Sequence, residues 1–474
     1  MRTIGALAGV PLSFAAGGLL ARAVLQAAPA RIAADLAQPV AVVTGWGAFG
    51  GALWAVLAGT MLTAALCAWA VVRMLRVAPL PSGAGLAVLI LTAAGALAAA
   101  LTWPVIFSSD IYAYATYGEQ ALRGIDPAAH ASHGDGGALA AASAWQWNGT
   151  VPVCVYGAAF VALARGIVGA TSWAGPAATL MAFRAVACAG YLGACVALFF
   201  ALPSVRAETR GGDGRLRSVA VLALNPVALW CAAEGHNDAV MLAAALVGAA
   251  VVKRWGAAFG GLVLGLSSAL KAPGLAIGAA TVAAASTSPR IGTRRAALAL
   301  LCGLPVAAVL TAGPALEATR QLGRHGTYAP QFSLQALAVA GAHEVLPGGS
   351  STVAGVAAAL LVALALGAAG VAALRAGGLA GWGWLAAGVW LAIPNPYPWY
   401  ALWILPIVAI VVDAGVFVAL ASATISIAVR YLPDAVGPLS PDRATMIALV
   451  ELAPLVLLVA VVPKLARAGA PALP

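Results

Sequence analysis

Long apolar runs occupy most of this chain, and very few charged residues interrupt them. One run covers residues 85–107, which exceeds the roughly 20 residues that an α-helix needs to cross a bilayer. Charged residues make up 8% of the 474 residues, whereas a soluble domain carries roughly a quarter. So few charges cannot cover a water-facing exterior. The runs therefore predict a membrane protein built of helices, and they exclude a soluble enzyme.

Basic residues are concentrated in short clusters between the apolar runs. Arg73 and Arg76 close one run, and Lys253 and Arg254 follow another. Because cytoplasmic loops carry an excess of Lys and Arg, these clusters predict cytoplasmic loops and place the polar stretch after residue 107 on the outer side. The net charge of +10 is therefore a topology signal. The expected partner is the lipid bilayer, and no nucleic-acid partner is expected.

Two apolar stretches are too short or too broken for a simple crossing. Residues 151–169 fit a helix that dips into the membrane without crossing it, since a crossing would put the next arginine-rich loop outside. Residues 259–285 are broken by Lys271 and Pro273 and predict a paired or re-entrant element. Irregular backbone at membrane depth is tolerated where it lines a protein cavity.

The first polar stretch begins FSSDIYAYATYGEQALRGIDPAAH, directly after an apolar run. If Asp110 begins a helix, then Asp110, Tyr114 and Tyr117 share one of its faces. A carboxylate beside aromatic rings suits a base that activates a sugar hydroxyl, because the rings offer flat apolar faces to a pyranose. The alternative is an interfacial aromatic belt in which the aspartate caps a helix.

A second polar cluster lies in LALNPVALWCAAEGHNDAVM. Asn225 and Pro226 interrupt its apolar run, and four polar residues stand at the end of that run, namely Glu234, His236, Asn237 and Asp238. Polar and ionisable residues at membrane depth are costly and mark functional sites. The alternative is a plain turn, in which Asp238 caps the returning helix.

Lys271 lies in the apolar segment SSALKAPG, where Pro273 breaks the helix. A lysine at this depth needs a carboxylate or phosphate partner, and a lipid phosphate on the outer side would supply one. Snorkelling of its ammonium group to the membrane interface is the alternative.

The segment PNPYPWYALW, residues 394–403, combines prolines with aromatic side chains. Trp399 and Tyr400 belong to a rigid aromatic edge that fits the lining of a lipid or sugar groove. An interfacial anchor would have the same composition.

No metal site is predicted. His130 and His133 lie near Asp126 and Asp135, but their loop is rich in glycine and alanine and lacks a metal-binding motif. The six cysteines have no metal-ligand spacing, and we interpret them as small packing residues.

Five segments together resemble the polyprenyl-phosphate-mannose-dependent α-(1→6)-mannosyltransferases of bacteria, which are membrane glycosyltransferases of the GT-C class. In chain order they are FSSDIYAYATYGEQALRGIDP, VYGAAFVAL, ALNPVALWCAAEGHNDAVM, SSALKAP and YPWYALW, and the resemblance runs from about residue 85 to residue 403. The chain departs from the family pattern at Ser109, where an arginine is usual, and also at Ala128, Val155 and Ala158.

The resemblance implies roles for individual residues. Asp110 would be the catalytic base, and His236, Asn237, Asp238 and Lys271 would line the donor and acceptor cavity. Because this chain has Ser109 in place of the usual arginine, Lys271 or Arg324 would bind the donor phosphate instead. The other implied substrate-binding residues are Tyr112, Tyr114, Asp126, Tyr156, Glu234, Trp399 and Tyr400.

The implied activity is transfer of mannose from a polyprenyl-phosphate sugar donor to a glycan or glycolipid acceptor, with inversion and an α-(1→6) linkage. No cofactor is expected: a divalent metal is possible but not required, because Lys or Arg can neutralise the single phosphate of such a donor. Two alternatives stay open. One is a GT-C enzyme that uses another lipid-linked sugar, such as glucose or arabinose. The other is a lipid or solute transporter, with Lys271, Arg184 and Asp413 as its relay.

The resemblance also implies a GT-C fold in the bacterial cytoplasmic (inner) membrane, with the active site facing outward. The apolar runs predict one all-α polytopic domain over residues 1–474, with about 11–14 transmembrane helices. Its two larger outer loops would follow residues 107 and 311. Residues 1–84 would form N-terminal helices, 85–312 the catalytic core, and 313–474 C-terminal helices.

Overall fold

The computed structural model describes residues 2–26, 50–77, 80–103, 105, 110–133, 149–203, 214–325, 333–345, 351–376, 378–393 and 397–411. These residues are helical apart from turns, short 3₁₀ segments and an isolated bridge between Ser132 and Val151. The predicted all-α polytopic membrane fold is therefore confirmed.

The chain divides into two compact units, residues 1–327 and 328–474. The helices of the first unit are α1 (Arg2–Gln26), α2 (Gly50–Val77), α3 (Ser82–Ala100), α4 (Asp110–Leu122), α5 (Ala158–Thr171), α6 (Pro176–Ala201), α7 (Gly214–Ala223), α8 (Pro226–Ala233), α9 (Asp238–Trp255), α10 (Ala257–Leu270), α11 (Gly274–Ala284) and α12 (Pro289–His325). Those of the second unit are α13 (Leu334–Val345), α14 (Ser351–Ala376), α15 (Gly378–Ala392) and α16 (Ala401–Val411).

Six of the described helices are long and apolar enough to cross a membrane, and a seventh span results if α7 and α8 cross as one bent pair. Shorter apolar helices, among them α10 and α11, accompany them. The expected total of about 11–14 spans includes stretches beyond the described residues and stays a prediction, as do the predicted boundaries at residues 84 and 312.

Two helix breaks predicted from the sequence are confirmed. The first separates α7 from α8, which meet at 53°. There the Asn225 side chain accepts a hydrogen bond from the backbone N–H of Ala228 at 3.0 Å and caps α8, with Pro226 in its first turn. The second break lies between α10 and α11, and it contains Lys271 and Pro273.

The end of α12 differs from the sequence prediction. The apolar run ends near residue 311, where the sequence predicts an outer loop, but the helix continues to His325. The added segment contains Ala, Leu, Glu, Gln and Arg, which favour a helix. Hydropathy marks where the apolar surface ends, and the helix itself can extend beyond that point.

Close helix packing brings the polar residues of the first unit together. A Cβ atom on Gly261 of α10 would lie 2.6 Å from the Ala299 carbonyl oxygen of α12, so only glycine allows this approach. Helix α9 packs against both α6 and α10. The start of α9, with Asp238, therefore lies beside the end of α10, next to Lys271.

Candidate active site

Four segments of the first unit bring polar side chains to one place. Helix α4 supplies Asp110 and Tyr114, and the segment before α5 supplies Tyr156. The turn between α8 and α9 supplies residues 234–238, and the break between α10 and α11 supplies Lys271. Hydrogen bonds, the ion pair of Lys271 with Asp238, and two 3.8 Å contacts of His236 with carboxylates join these side chains into what we call the polar network.

Asp110 is the accessible carboxylate of the polar network. It begins α4, and Tyr114 follows one turn later, as the predicted helical spacing requires. The Tyr114 hydroxyl lies 3.5 Å from Asp110 Oδ2 and donates to Asn237 Oδ1 at 3.2 Å. The Asp110 side chain is 17% exposed, compared with 3% for Glu234 and 0% for Asp238. A ligand that enters from solvent can therefore reach Asp110 first.

Tyr156 packs against Tyr114 and forms an aromatic wall beside Asp110. The two hydroxyl oxygens lie 3.4 Å apart, and both rings meet Phe160 edge to face. Burial raises the pKa of both tyrosines well above the usual value, and the negative charge of Asp110 raises each pKa further. Both phenols therefore stay protonated at neutral pH and act as hydrogen-bond donors.

A tight turn presents His236 to two carboxylates. Gly235 has a φ of +90°, and an added Cβ there would lie 2.7 Å from Ile111 Cδ1, so the turn requires glycine. His236 Nδ1 lies 3.8 Å from Asp110 Oδ2, and His236 Nε2 lies 3.8 Å from Glu234 Oε2. The imidazole ring thus lies between the accessible carboxylate and a buried one.

Lys271 has the carboxylate partner that its depth requires. Its ammonium nitrogen donates to Asp238 Oδ2 at 2.6 Å and to Asn237 Oδ1 at 3.2 Å, and it lies 5.5 Å from the centre of the Tyr156 ring. The side chain is 9% exposed. Lys271 is therefore buried in an ion pair and does not snorkel to the interface.

The amide of Asn237 has a defined orientation. Its Oδ1 accepts hydrogen bonds from Tyr114 and Lys271, so the donating Nδ2 must face away from both. Within the described part of the chain, this buried Nδ2 has no hydrogen-bond partner. It is thus a preformed donor for a ligand oxygen.

Arg184 stabilises the chain next to the turn of residues 234–238 through hydrogen bonds to backbone carbonyl groups. The sequence interpretation linked Arg184 only with a transporter and missed this role. The side chain is fully buried in α6. Its Nε donates to the Ala233 carbonyl, and its Nη2 lies 3.3 Å from the carbonyl oxygens of Ala100 and Trp103. An arginine within an apolar helix is the sequence signal that points to such a role. Asp413, the other residue invoked there, lies outside the described residues.

Two further predicted site residues of the first unit, Tyr112 and Asp126, have described interactions outside the polar network. Tyr112 is buried in α4, near enough to Arg184 for an electrostatic interaction. Asp126 is exposed, and its Oδ1 accepts a hydrogen bond from the backbone N–H of Ala128 at 3.0 Å, which stabilises a turn. Substrate binding by either residue stays a prediction.

The remaining predicted site residues are Arg324, Trp399 and Tyr400. Arg324 belongs to the last turn of α12, and its side chain is not among those described. Trp399 and Tyr400 belong to the second unit, where the Trp399 ring stacks on Tyr397 at 4.6 Å and the Tyr400 ring on Trp403 at 4.1 Å. Binding of a lipid or sugar by Trp399 and Tyr400 stays a prediction.

Among the described residues, no three side chains of His, Cys, Asp or Glu lie close enough together to bind a metal ion. His130 Nδ1 contacts the carbonyl oxygen of Asp126, and His133 Nδ1 contacts the Thr150 hydroxyl. Asp135 lies outside the described residues. The cation that the polar network itself contains is the ammonium group of Lys271.

Comparison with protein families gives one match. The family model described as alpha-(1→6)-mannopyranosyltransferase, N-terminal domain, matches residues 3–287. This range contains every side chain of the polar network. Comparison with curated proteins and with solved structures gives no match.

Proposed function

Because the chain belongs to the alpha-(1→6)-mannopyranosyltransferase family, we propose that it transfers mannose from a polyprenyl-phosphate donor to a glycan or glycolipid acceptor on the outer face of the cytoplasmic membrane. Family membership makes the protein a glycosyltransferase, so the transporter alternative is set aside. The observation that carries the proposal is a carboxylate, Asp110, at the accessible edge of a buried network that also contains a cation.

The reaction is a single displacement in which Asp110 acts as general base. Asp110 accepts the proton of an acceptor hydroxyl as that oxygen attacks the anomeric carbon of mannose. The bond between this carbon and the phosphate oxygen breaks, its electron pair stays on the phosphate, and polyprenyl phosphate leaves. Attack opposite the leaving group inverts the anomeric centre, so a β-linked donor gives an α-linked product.

The leaving phosphate needs positive charge and hydrogen-bond donors. Lys271 is the cation of the polar network, and the Asn237 Nδ2 faces away from the two groups that donate to Oδ1. Both are buried, and charge stabilisation is stronger in such a water-poor environment than in solvent. We assign them to the phosphate of the donor, and we assign Tyr114 and Tyr156 to the sugar face beside Asp110.

The distribution of charge supports an outward-facing site. Helix α9 begins with Asp238 of the polar network and carries Lys253 and Arg254 in its last turn. The bent pair of α7 and α8 likewise begins near Arg215 and leads to Glu234. Since basic residues favour the cytoplasmic side, the opposite ends of these helices, with the polar network, would face outward.

The donor is tested by supplying the purified enzyme with one polyprenyl phosphosugar at a time, carrying mannose, glucose or arabinose, together with a mannan-type glycolipid acceptor. We expect product from the mannose donor alone, and methylation analysis should show a new 6-substituted residue. Product from the glucose or arabinose donor, or from a nucleotide-linked mannose without lipid, would contradict the proposed donor.

Orientation is tested by cysteine labelling in a variant that lacks the native cysteines. Val155, next to Tyr156, is 48% exposed, and Arg254, in the last turn of α9, is also exposed. In intact spheroplasts we expect a membrane-impermeant maleimide to label Val155→Cys but not Arg254→Cys. After permeabilisation both should react. The reverse pattern in intact spheroplasts would place the site in the cytoplasm.

A further inference from the structure

A cavity with polar groups lies at the end of α9 that is remote from the polar network. It has a volume of about 120 Å³ and is lined by the last turns of α6 and α9, the end of α11, the turn that follows α11, and the second turn of α12. Lys253 is fifteen residues beyond Asp238, which corresponds to about 22 Å along the helix. The cavity is therefore separate from the polar network and lies near the opposite membrane face.

The cavity is cationic and contains hydroxyl groups. Lys253 and Arg295 line it, together with Ser286 and Thr287, and none of the lining residues is acidic. The Lys253 ammonium group donates to the carbonyl oxygens of Phe200, at 2.9 Å, and Leu202. An ammonium group has three N–H donors, so these contacts leave one of them for a ligand.

Further positive charge surrounds Lys253. Arg215 lies near enough for its charge to act on Lys253, and its guanidinium group lies 4.1 Å from the centre of the Phe199 ring. Arg295 is exposed, and within the described part of the chain it forms no ion pair with a carboxylate. A group that shares negative charge over two or more oxygens fits this set of side chains, and phosphate, free or esterified, is the common biological group of that kind.

The immediate surroundings of the cavity are apolar. Phe200, next to the lining residue Ala201, is 58% exposed, and Trp255, two residues after Lys253, is 67% exposed. Ala249 and Val282 contribute apolar wall within the cavity. Exposed aromatic side chains at the ends of apolar helices are typical of the membrane interface. A ligand with acyl chains would therefore match the site better than a free anion.

We propose that this cavity binds the phosphate headgroup of an anionic phospholipid from the bilayer. Lys253 and Arg295 contact the phosphate oxygens, the hydroxyl of Thr287 binds the headgroup, and the acyl chains lie along Phe200 and Trp255. Basic pockets between transmembrane helices are suited to anionic lipid headgroups. The inference is independent of the sugar donor, because none of these residues belongs to the polar network.

The test measures lipid binding to the purified, delipidated full-length protein by native mass spectrometry, with phosphatidylglycerol and phosphatidylcholine as probes. We expect clear preference for phosphatidylglycerol, and we expect Arg295→Gln to weaken its binding about fivefold, the effect of one basic contact. Arg290→Gln is the matched control, since Arg290 is an exposed arginine of the same helix that does not line the cavity. It should bind phosphatidylglycerol as the wild type does.

A second variant tests the cavity without changing charge. Ala249→Leu would fill part of the space beside Lys253 and should also weaken phosphatidylglycerol binding. Equal binding of both lipids, or unchanged binding by Arg295→Gln, would overturn the proposal even if Ala249→Leu failed to fold. Inorganic phosphate is the remaining probe. If it displaced phosphatidylglycerol at equal concentration and depended equally on Arg295, the site would be one for free phosphate and the lipid assignment would be wrong.

Discussion

Asp110→Asn is expected to reduce mannosyl transfer by about 10²–10⁴-fold, the range typical for loss of a general base. Asparagine has nearly the same shape as aspartate but cannot accept the proton of the acceptor hydroxyl. Because Asp110 is 17% exposed and lies at the edge of the polar network, its loss should leave the fold and donor binding intact. The initial rate of transfer from polyprenyl phosphomannose measures the effect, and donor binding measured separately shows whether only the chemical step is lost.

Glu119→Gln is the matched control for Asp110→Asn. Glu119 lies on the same helix, where it forms an ion pair with Arg123 at 2.7 Å. This pair is partly exposed, with 46% of the Arg123 side chain and 20% of the Glu119 side chain accessible, so its loss should cost about 1 kcal/mol, and Glu119 is outside the polar network. We expect wild-type transfer from Glu119→Gln. A rate for Asp110→Asn within tenfold of the wild type would contradict the role of Asp110 as base.

Lys271→Met is expected to destabilise the protein and to abolish transfer. The substitution removes the 2.6 Å ion pair with Asp238, whose side chain is fully buried. Breaking a buried ion pair by removing one member costs about 3–5 kcal/mol, since the desolvated charge that stays loses that compensation. Asp238→Asn should be destabilising for the same reason, because the buried Lys271 ammonium group then loses this ion pair. The midpoint of thermal unfolding in detergent measures both effects.

The double variant Lys271→Met/Asp238→Asn separates stability from function. It removes both charges at once, so it should unfold at a higher temperature than either single variant. It should still fail to transfer mannose, because the cation assigned to the leaving phosphate is missing. A double variant that regained activity along with stability would show that Lys271 acts only as a structural partner of Asp238.

The local breaks of this fold could be predicted from the sequence because proline and asparagine impose them. Pro226 and Pro273 interrupt apolar runs, and helices do break at both places. The shared face of Asp110 and Tyr114 followed from helical periodicity in the same way. These features depend on a few neighbouring residues, so a single sequence contains the information that they require.

The contacts of the polar network could not be predicted, because they depend on how distant helices pack. Asn237 accepts hydrogen bonds from Tyr114 and Lys271, which are far from it in the chain and come from different helix pairs. From the sequence, an ordinary turn residue stayed the alternative for Asn237. The extension of α12 was missed for another reason, since hydropathy reports contact with lipid and carries no information about where a helix ends.

Arg184 joins three backbone carbonyl groups, from Ala100, Trp103 and Ala233, at the point where α3 and α8 end. One guanidinium group thus fixes the positions of several chain segments. Its described hydrogen bonds go to backbone carbonyl groups and not to the side chains assigned to the reaction. In a genetic screen that scores only lost product, changes at Arg184 would be grouped with changes at Asp110. Protein abundance in the membrane would separate the two classes, because alleles at Arg184 should lower the amount of enzyme and alleles at Asp110 should not.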